Sequence, residues 1–461
     1  MSKNKKLQYL FFSLLAICSF FNAGNSEIYI QINFLFFSCF LIYCLKDKNY
    51  FAHAKKFVFR NIIFIYIFLL FLFYLIFQLT PLPFELLKIF ASEKYIFLRQ
   101  MGVSKGFFSI SYSLPDTYFQ ILNYISIFII ILLVKMIFYN QRHVYRFYYF
   151  LTLLGAFHSS IAIYFYLNGN PDFLLINNSA YKNSSTGLFI NRTVFSIFLI
   201  FCLISGLEYL KNISGTDFYK NKDNFFRKIY IRIFIIFITV GVITTFSKLG
   251  NFIMFLTIIF YLFQNYFIEK NSNKIFSLVL IFIVFLDILI LGFYFGGDKL
   301  LERFLFLKED FAQDNNSINI SRLEIINFSY NQFKNYFIFG YGAGGFENIF
   351  KINFVNSASF FANHAHSDIF EFLGEFGILG FTLFALSFSK IFFKKKNYNF
   401  KFNLLLLIGI LILLFDFSLH IPLVQILYVS LIILALNQIN NNHSVWFVLA
   451  PVLTPSCIIG L

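Results

Sequence analysis

Charged residues are scarce in this chain. Asp, Glu, Lys and Arg make up 13% of its 461 residues, while hydrophobic types make up 59%. So few charges cannot cover the surface of a water-soluble globule of this size, and the composition is typical of chains whose helices cross a membrane. The scarcity excludes a soluble enzyme or binding domain. It predicts an all-α polytopic membrane protein.

Cysteine is scarce as well, and its spacing forms no motif. The five cysteines lie in or beside apolar runs, without a C-x-x-C pair or a Cys/His spacing. The sequence therefore predicts neither a zinc site built on cysteine nor a disulfide framework. Internal repeats are missing too. Their absence weakens a transporter interpretation, because many secondary transporters show related halves.

Apolar runs long enough to span a bilayer occur at twelve places, since a spanning helix needs roughly 20 mostly apolar residues. These runs lie near residues 7–21, 28–45, 61–79, 118–139, 147–167, 187–209, 231–246, 250–268, 275–296, 369–389, 402–420 and 422–438. The first run follows three lysines and also resembles a signal peptide. Whether residues 1–26 form a first helix or a cleaved signal stays open at this point.

Basic residues are distributed unevenly between the loops. The loops on the side of the amino terminus carry 23 Lys and Arg, and the opposite loops carry 13. By the positive-inside rule the first side is cytoplasmic, so we expect both termini in the cytoplasm. The net charge of +15 is then a topology signal, with no basic motif that would indicate nucleic-acid binding.

Two exported segments of the single membrane domain, residues 1–461, are long enough to hold structure. Residues 80–117 open with a helix-start pattern and continue as an amphipathic stretch expected to lie along the interface. Residues 297–368 form the large exported loop, with a predicted helix at 322–333, a glycine-rich turn at 340–345 and two histidines. The turn imitates G-x-G-x-x-G, but it follows no strand and faces the wrong compartment for a dinucleotide.

Histidines at a membrane edge indicate acid–base chemistry. His364 and His366 directly precede an apolar helix that carries Glu371 and Glu375. Imidazole has an unperturbed pKa near neutrality and can take a proton from a hydroxyl just outside the lipid. The alternative is that the histidines only cap or hydrogen-bond the start of the helix. The two glutamates share a helical face and are expected to line a cavity or to pair with a basic residue.

Three exported cations stand at predicted helix ends, namely Arg192, Lys248 and Arg322. Cations in such positions can stabilise charge that builds on a leaving group. Each has the alternative of reaching to lipid headgroups as an isolated basic side chain. Asp416 and His420 stand four residues apart, and for them a packing or polar-network role is expected before metal binding.

Eight short motifs, taken together, resemble the bacterial O-antigen ligase and O-antigen polymerase superfamily. They are 78–83 (QLTPLP), 111–117 (SYSLPDT), 187–192 (GLFINR), 245–248 (TFSK), 321–324 (SRLE), 340–346 (GYGAGGF), 364–380 (HAHSDIFEFLGEFGILG) and 416–422 (DFSLHIP). Each motif is weak alone. Their order along a twelve-helix chain makes the resemblance fairly specific.

The resemblance implies a metal-independent transferase of the glycosyltransferase-C type, without a cofactor, in the bacterial inner membrane. Such an enzyme moves a glycan from a polyprenyl (undecaprenyl) pyrophosphate carrier to a sugar hydroxyl at the periplasmic face, in surface polysaccharide or lipopolysaccharide biosynthesis. The implied partners are the lipid-linked oligosaccharide donor, membrane lipid, and lipid A core or a growing glycan as acceptor; nucleic acid is not among them. The first exported loop, 22–27, has no paired acids, which agrees with metal-free chemistry.

The resemblance also implies roles for single residues. His366 aligns with the family's base. The expected catalytic residues are His366 and Arg322; the pyrophosphate-binding residues are Arg192, Lys248 and Arg322; the supporting residues are His364, Glu375, Asp416 and His420; and no metal ligand is expected. Lys248 stands where the family usually has Arg. A lysine binds phosphate as a point charge, whereas an arginine can form two parallel hydrogen bonds to it. Ile338 or Phe339 stands where the family often has Pro.

Two questions stay open. No motif separates a ligase from a polymerase. The alternative from a different class is a polytopic transporter of a small anion, which would use the same cations as its binding site. Broken helices or paired halves would favour the transporter, whereas a large exported loop bearing a histidine base disfavours it.

Overall fold

The computed structural model describes residues 3–171, 182–214, 222–268, 274–290, 321–355, 361–392 and 400–437. The helices in these ranges are α1 (Lys3–Phe20), α2 (Glu27–Leu45), α3 (Lys48–Arg60), α4 (Ile62–Leu79), α5 (Phe84–Phe90), α6 (Ser92–Gln100), α7 (Leu114–Ile137), α8 (Gln141–Leu167), α9 (Arg192–Ser214), α10 (Lys222–Thr244), α11 (Lys248–Phe263), α12 (Lys274–Ile290), α13 (Arg322–Asn335), α14 (Phe346–Asn353), α15 (Asp368–Phe392), α16 (Phe400–Phe415) and α17 (Pro422–Asn437). Two strands, β1 (Leu82–Pro83) and β2 (Phe107–Phe108), pair antiparallel. Parts of the predicted loop 297–368, residues 297–320 and 356–360, lie outside the described residues.

Within the described ranges, seven helices are long and apolar enough to cross a membrane. They are α2, α4, α7, α8, α9, α15, and α11 together with the π-helical turn Gln264–Ile268 that extends it. Three shorter apolar stretches lie in α12, α16 and α17. The class of all-α polytopic membrane protein is therefore confirmed. A helix stands at each of the twelve predicted positions, but the number of spans stays a prediction.

Helix α9 lies inside the bundle and α2 lies at its edge. In α9, 83% of the most apolar window is buried by the rest of the protein, against 17% in α2. α9 packs against α8, α10, α11 and α17. On α2 and α4, large apolar side chains such as Leu35, Ile63 and Phe73 are exposed. Exposed apolar surface on peripheral helices is what a lipid-facing bundle requires.

The first predicted exported segment folds back on itself and is joined to the second. Lys94 donates to the carbonyls of Ser109 and Ser111 at 2.9 and 2.6 Å. Burial lowers the pKa of Lys94 to about 8. The amide of Tyr112 donates to the carbonyl of Tyr341 at 3.0 Å. This segment therefore reaches the glycine-rich turn, while its position along the interface stays a prediction.

Helix α15 includes the span predicted at 369–389, but it contains a break that the sequence did not predict. Gly377 has φ 62° and ψ 179°, outside the helical region. Other segments satisfy the carbonyl of Glu375 that the break frees: it accepts from Gly342 N at 3.1 Å and from Gln78 Nε2 at 2.9 Å. Irregular backbone within a spanning helix is tolerated only where it is satisfied in this way.

The span predicted at 402–420 is too long. Helix α16 ends at Phe415, and Ser418–His420 form a 3-10 turn before α17. The carboxylate of Asp416 accepts from Ser418 N at 3.1 Å, a local bond that competes with helix continuation. Asp416 and His420 therefore do not share a helix, although they stand four residues apart.

Candidate active site

Segments far apart in sequence meet at the amino end of α15. The loop before it carries two histidines, its first two turns carry three carboxylates, and the Ser418–His420 turn packs against it. Five side chains form one group, which we call the His–carboxylate cluster: His364, Asp368, Glu371, Glu375 and His420. His364 is partly exposed, and the other four are buried.

Glu371 clamps the loop that carries the histidines. One carboxylate oxygen lies 2.8 Å from His364 Nδ1, and the other accepts from the amide of Ala365 at 2.7 Å. The Glu371 side chain is 2% exposed, whereas that of His364 is 24% exposed. Hydrogen bonds to a buried charged group are strong, so they hold this loop against α15.

His420 lies among three carboxylates. Its Nδ1 is hydrogen-bonded to Asp368, whose second oxygen accepts from Leu419 N at 2.9 Å. Its Nε2 lies 3.6 Å from Glu371 Oε1 and 3.7 Å from Glu375 Oε2. Buried carboxylates require compensating positive charge or protons nearby. The imidazole of His420 is placed to supply part of that compensation.

His366 lies beside the cluster. Its ring meets Phe417 edge-on at a centroid distance of 5.4 Å, while His364 stacks flat on the same ring at 4.5 Å. Its φ of 55° is in the left-handed region, where strain in a non-glycine residue often accompanies function. Burial, and then the charges of Arg322 and His364, lower the pKa of His366 to about 4. The ring is therefore neutral near pH 7 with a free lone pair, although the lowered pKa makes it a weaker base than an exposed imidazole.

Arg322 is the first residue of α13. A capping box fixes this helix start: Ser321 Oγ accepts from Glu324 N at 3.2 Å, and the Glu324 carboxylate accepts from Ser321 N at 3.3 Å. Helix α13 packs on α15, and the charge of Arg322 acts on His366. Among the described residues the Arg322 guanidinium makes no hydrogen bond or ion pair. Its donors are therefore available to an anionic ligand.

Arg192 and Lys248 begin two helices that touch at their amino ends. Ser247 Oγ donates to Thr193 Oγ1 at 3.3 Å, which joins the start of α11 to the start of α9. Helix α9 also packs against the turn that carries His420. The charge of Arg322 thus acts on His366, Arg192 and Lys248 begin two adjoining helices, and α9 contacts the turn that carries His420.

Asp416 supports the site through backbone contacts. Its carbonyl accepts from the amide of Asp368 at 2.9 Å, and its carboxylate is bonded to Ser418. These bonds tie the first residue of α15 to the end of α16. Asp416 is buried and lies outside the His–carboxylate cluster.

Sequence reasoning missed the role of Gln78. Its amide nitrogen donates to the carbonyls of Phe339 and Glu375, each at 2.9 Å, and its amide oxygen accepts from Ala343 N at 3.3 Å. Gln78 therefore bridges α4, the glycine-rich turn and the break in α15. The sequence did contain a signal, a glutamine at the end of an otherwise apolar run. A side-chain amide inside a membrane must find hydrogen-bond partners in the protein.

The glycine-rich turn at 340–345 packs directly on the break in α15. Tyr341 N donates to the carbonyl of Gly374 at 3.0 Å. Gly340 has φ +69°, and a Cβ added there would lie 2.2 Å from the carbonyl oxygen of Glu375. Only glycine fits this position.

Gly340→Ala should therefore destabilise the protein more than a left-handed backbone alone explains. Gly102 is the matched control, because its φ is +82° and a Cβ there would meet nothing within 4 Å. The left-handed conformation costs about 1–2 kcal/mol at either site, and overpacking typically costs about 1–3 kcal/mol more at Gly340. Thermal unfolding of both purified variants in detergent measures the difference; equal melting temperatures would contradict the tight contact.

The fold and this site define an integral membrane protein with a histidine- and carboxylate-rich site at the start of a broken helix. Residues 233–385, about a third of the chain, match the family model described as O-antigen ligase. The resemblance to the O-antigen ligase and polymerase superfamily is thereby confirmed. The matched segment includes Lys248, Arg322, His366 and most of the cluster, but not Arg192 or His420. A comparison with curated proteins finds no match.

Proposed function

We propose that this protein is a membrane glycosyltransferase that moves a glycan from a polyprenyl pyrophosphate carrier to a sugar hydroxyl. One observation carries the proposal: His366 is neutral at a left-handed φ of 55°, and it feels the charge of Arg322, which makes no hydrogen bond or ion pair among the described residues. Both residues belong to the segment that matches the O-antigen ligase family model. A base and a cation at one site are what this displacement requires.

The reaction needs one bond to form and one to break. The oxygen of the acceptor hydroxyl attacks the anomeric carbon, and the bond from that carbon to the carrier pyrophosphate breaks. The hydroxyl proton passes to the neutral imidazole of His366. The bonding electrons leave with the pyrophosphate, where Arg322 stabilises the added negative charge.

Arg192 and Lys248 are proposed as further pyrophosphate ligands. They are the first residues of α9 and α11, where the positive ends of two helix dipoles add to their charges. A pyrophosphate offers two anionic groups, which several cations can share. Lys248 contributes a point charge in place of the bidentate contact an arginine gives.

The proposed location is the bacterial inner membrane, with the termini in the cytoplasm and the site at the periplasmic face. The 23 to 13 distribution of Lys and Arg between the two sets of loops supports this orientation. The donor is a lipid-linked oligosaccharide, and the acceptor is lipid A core for a ligase or a growing glycan for a polymerase, in lipopolysaccharide or other surface polysaccharide biosynthesis.

The glycan profile of a deletion strain tests the proposal and separates the two activities. Without a ligase, full-length glycan chains should accumulate on the carrier. Without a polymerase, single repeat units should be transferred in place of long chains. Re-expression of the parental chain must restore the profile. Carrier-linked and surface glycans identical to those of the parent would overturn the proposal.

The broken helix is the observation that favours a small-anion transporter instead, because transporters often bind substrate at interrupted helices. In α15, however, the freed carbonyl of Glu375 is taken by Gly342 and Gln78. The break is therefore filled by protein contacts. Loss of anion uptake in the deletion strain with unchanged glycans would support the transporter.

A further inference from the structure

Part of the His–carboxylate cluster has the composition of a transition-metal site. One ligand atom from each of His364, Glu371 and His420 lies within 4.8 Å of the other two. Two imidazoles and one carboxylate form a ligand set that zinc uses in proteins. Imidazole ligands favour such a metal over magnesium or calcium, which prefer oxygen.

The two distances from Glu371 Oε1 to the imidazole nitrogens are close to those around a tetrahedral ion. Bonds of about 2.0–2.2 Å from zinc to nitrogen or oxygen place neighbouring ligand atoms about 3.4 Å apart. The observed separations are 2.8 Å between His364 Nδ1 and Glu371 Oε1, and 3.6 Å between Glu371 Oε1 and His420 Nε2. They lie on either side of that value. A small movement of the partly exposed His364 ring would complete the geometry.

The tautomer of His420 supports metal binding independently. A carboxylate only accepts, so the bond to Asp368 requires the proton to be on Nδ1 and leaves the Nε2 lone pair unprotonated in the neutral ring. This arrangement, carboxylate to imidazole to metal, recurs around protein-bound zinc. Nε2 is buried and has no hydrogen-bond partner among the described residues. It faces Glu371 and Glu375.

The balance of buried charges also supports metal binding. Three carboxylates are buried here, those of Asp368, Glu371 and Glu375. Burying charges without a partner costs several kcal/mol for each ion. Oε1 of Glu375 is also buried without a hydrogen-bond partner among the described residues, and Oε2 of the same carboxylate lies 3.7 Å from His420 Nε2. A divalent cation that displaces the proton from His420 Nε2 would neutralise two of the three negative charges, one more than the imidazolium does.

We propose that His364, Glu371 and His420 bind one divalent transition-metal ion of the Zn²⁺ type, with Glu375 at the fourth position. The ion joins the histidine loop and α15, which follow each other in the chain, to the Ser418–His420 turn, whose His420 lies 52 residues beyond Asp368. His366 is not a ligand. The ion is therefore structural, and the proposed transfer chemistry stays metal-free. The partly exposed His364 provides the path of entry.

Zinc binding by the full-length protein tests this proposal without reference to activity. The protein is purified in detergent through a tag that lacks histidine, stripped with EDTA, exchanged into metal-free buffer, incubated with ZnCl₂ and desalted. Elemental analysis should then find one zinc per chain. Zinc should also raise the melting temperature, since an ion that binds only the folded state stabilises it.

Substitutions at His364 give the decisive comparison, because this ligand is on a loop and partly exposed. His364→Ala should weaken zinc binding more than about 100-fold, since even residues that only orient a ligand are worth about 10- to 100-fold. His364→Cys should retain zinc, because thiolate is also a zinc ligand. The matched control is His366→Ala, two residues away, which should bind zinc like the parent.

Three outcomes would overturn the proposal. Parental protein that holds no more zinc than His364→Ala would show that the cluster balances its charge with protons. Equal loss of zinc in His366→Ala would assign the ion to other ligands. A zinc-induced rise in the melting temperature of His364→Ala equal to that of the parental protein would remove residue 364 from the ligand set. None of these results bears on glycan transfer, so the proposed function is tested separately.

Discussion

Arg322→Ala should reduce glycan transfer by about 10²-fold or more while the protein still inserts and folds. Removal of one electrostatic stabiliser of a transition state commonly has an effect of this size. Arg322 makes no hydrogen bond or ion pair among the described residues, so its loss should leave the packing of α13 on α15 unchanged. The measurement is transfer in vitro with purified protein and a lipid-linked donor, alongside thermal unfolding.

Lys334→Ala is the matched control for Arg322→Ala. Lys334 is a cation in the last turn of the same helix, exposed, with its ammonium 4.3 Å from the Tyr330 ring centroid. Its loss should leave transfer at the parental rate. Lys248→Arg should be tolerated or beneficial, because it restores a bidentate contact to phosphate. A fully active Arg322→Ala protein would remove Arg322 from the site.

His366→Ala should reduce transfer by about 10²- to 10⁴-fold, the range that general-base catalysis supplies. Binding of the lipid-linked donor should persist, because the cations that hold the pyrophosphate remain. Transfer and donor copurification are therefore measured on the same preparations. Loss of donor binding in parallel with transfer would contradict the role of base.

His53→Ala and His364→Ala accompany that experiment. His53 is exposed and stacks on Tyr139, far in sequence from the site, and its substitution should change nothing. His364→Ala should reduce transfer less than His366→Ala, because His364 shapes the loop. If His366→Ala is fully active and His364→Ala is not, the base is the other histidine. If both variants are fully active, neither histidine of this loop acts as the base.

Several local features of the site are readable from sequence because they depend on neighbours in the chain. The Ser321–Glu324 pattern is a capping box, and α13 begins at Arg322 as predicted. The glycine-rich turn falls where its spacing indicates. The sequence also identified three candidate site residues, His366, Arg322 and Lys248. Ionisable side chains in or beside membrane-spanning helices often mark functional sites.

Other features depend on contacts that pattern reasoning does not reveal. Glu375 is followed by a helical-looking apolar run, so the break at Gly377 was missed. That break persists because Gln78 and Gly342 satisfy the freed carbonyl from elements far away in sequence. Likewise α16 ends at Phe415 because Asp416 bonds locally, although hydrophobicity continues beyond it.

The sequence by itself determined the membrane class, the helix positions, the expected orientation and the family resemblance. Those properties follow from composition, from apolar run length and from short motifs, all of which act locally along the chain. Only the tertiary structure decided that His420 meets Glu371 and Glu375, and that His364 is clamped by Glu371 while the charge of Arg322 acts on His366. Side chains about 50 residues apart are brought to one point by helix packing, and no local pattern encodes which of them will share a buried charge.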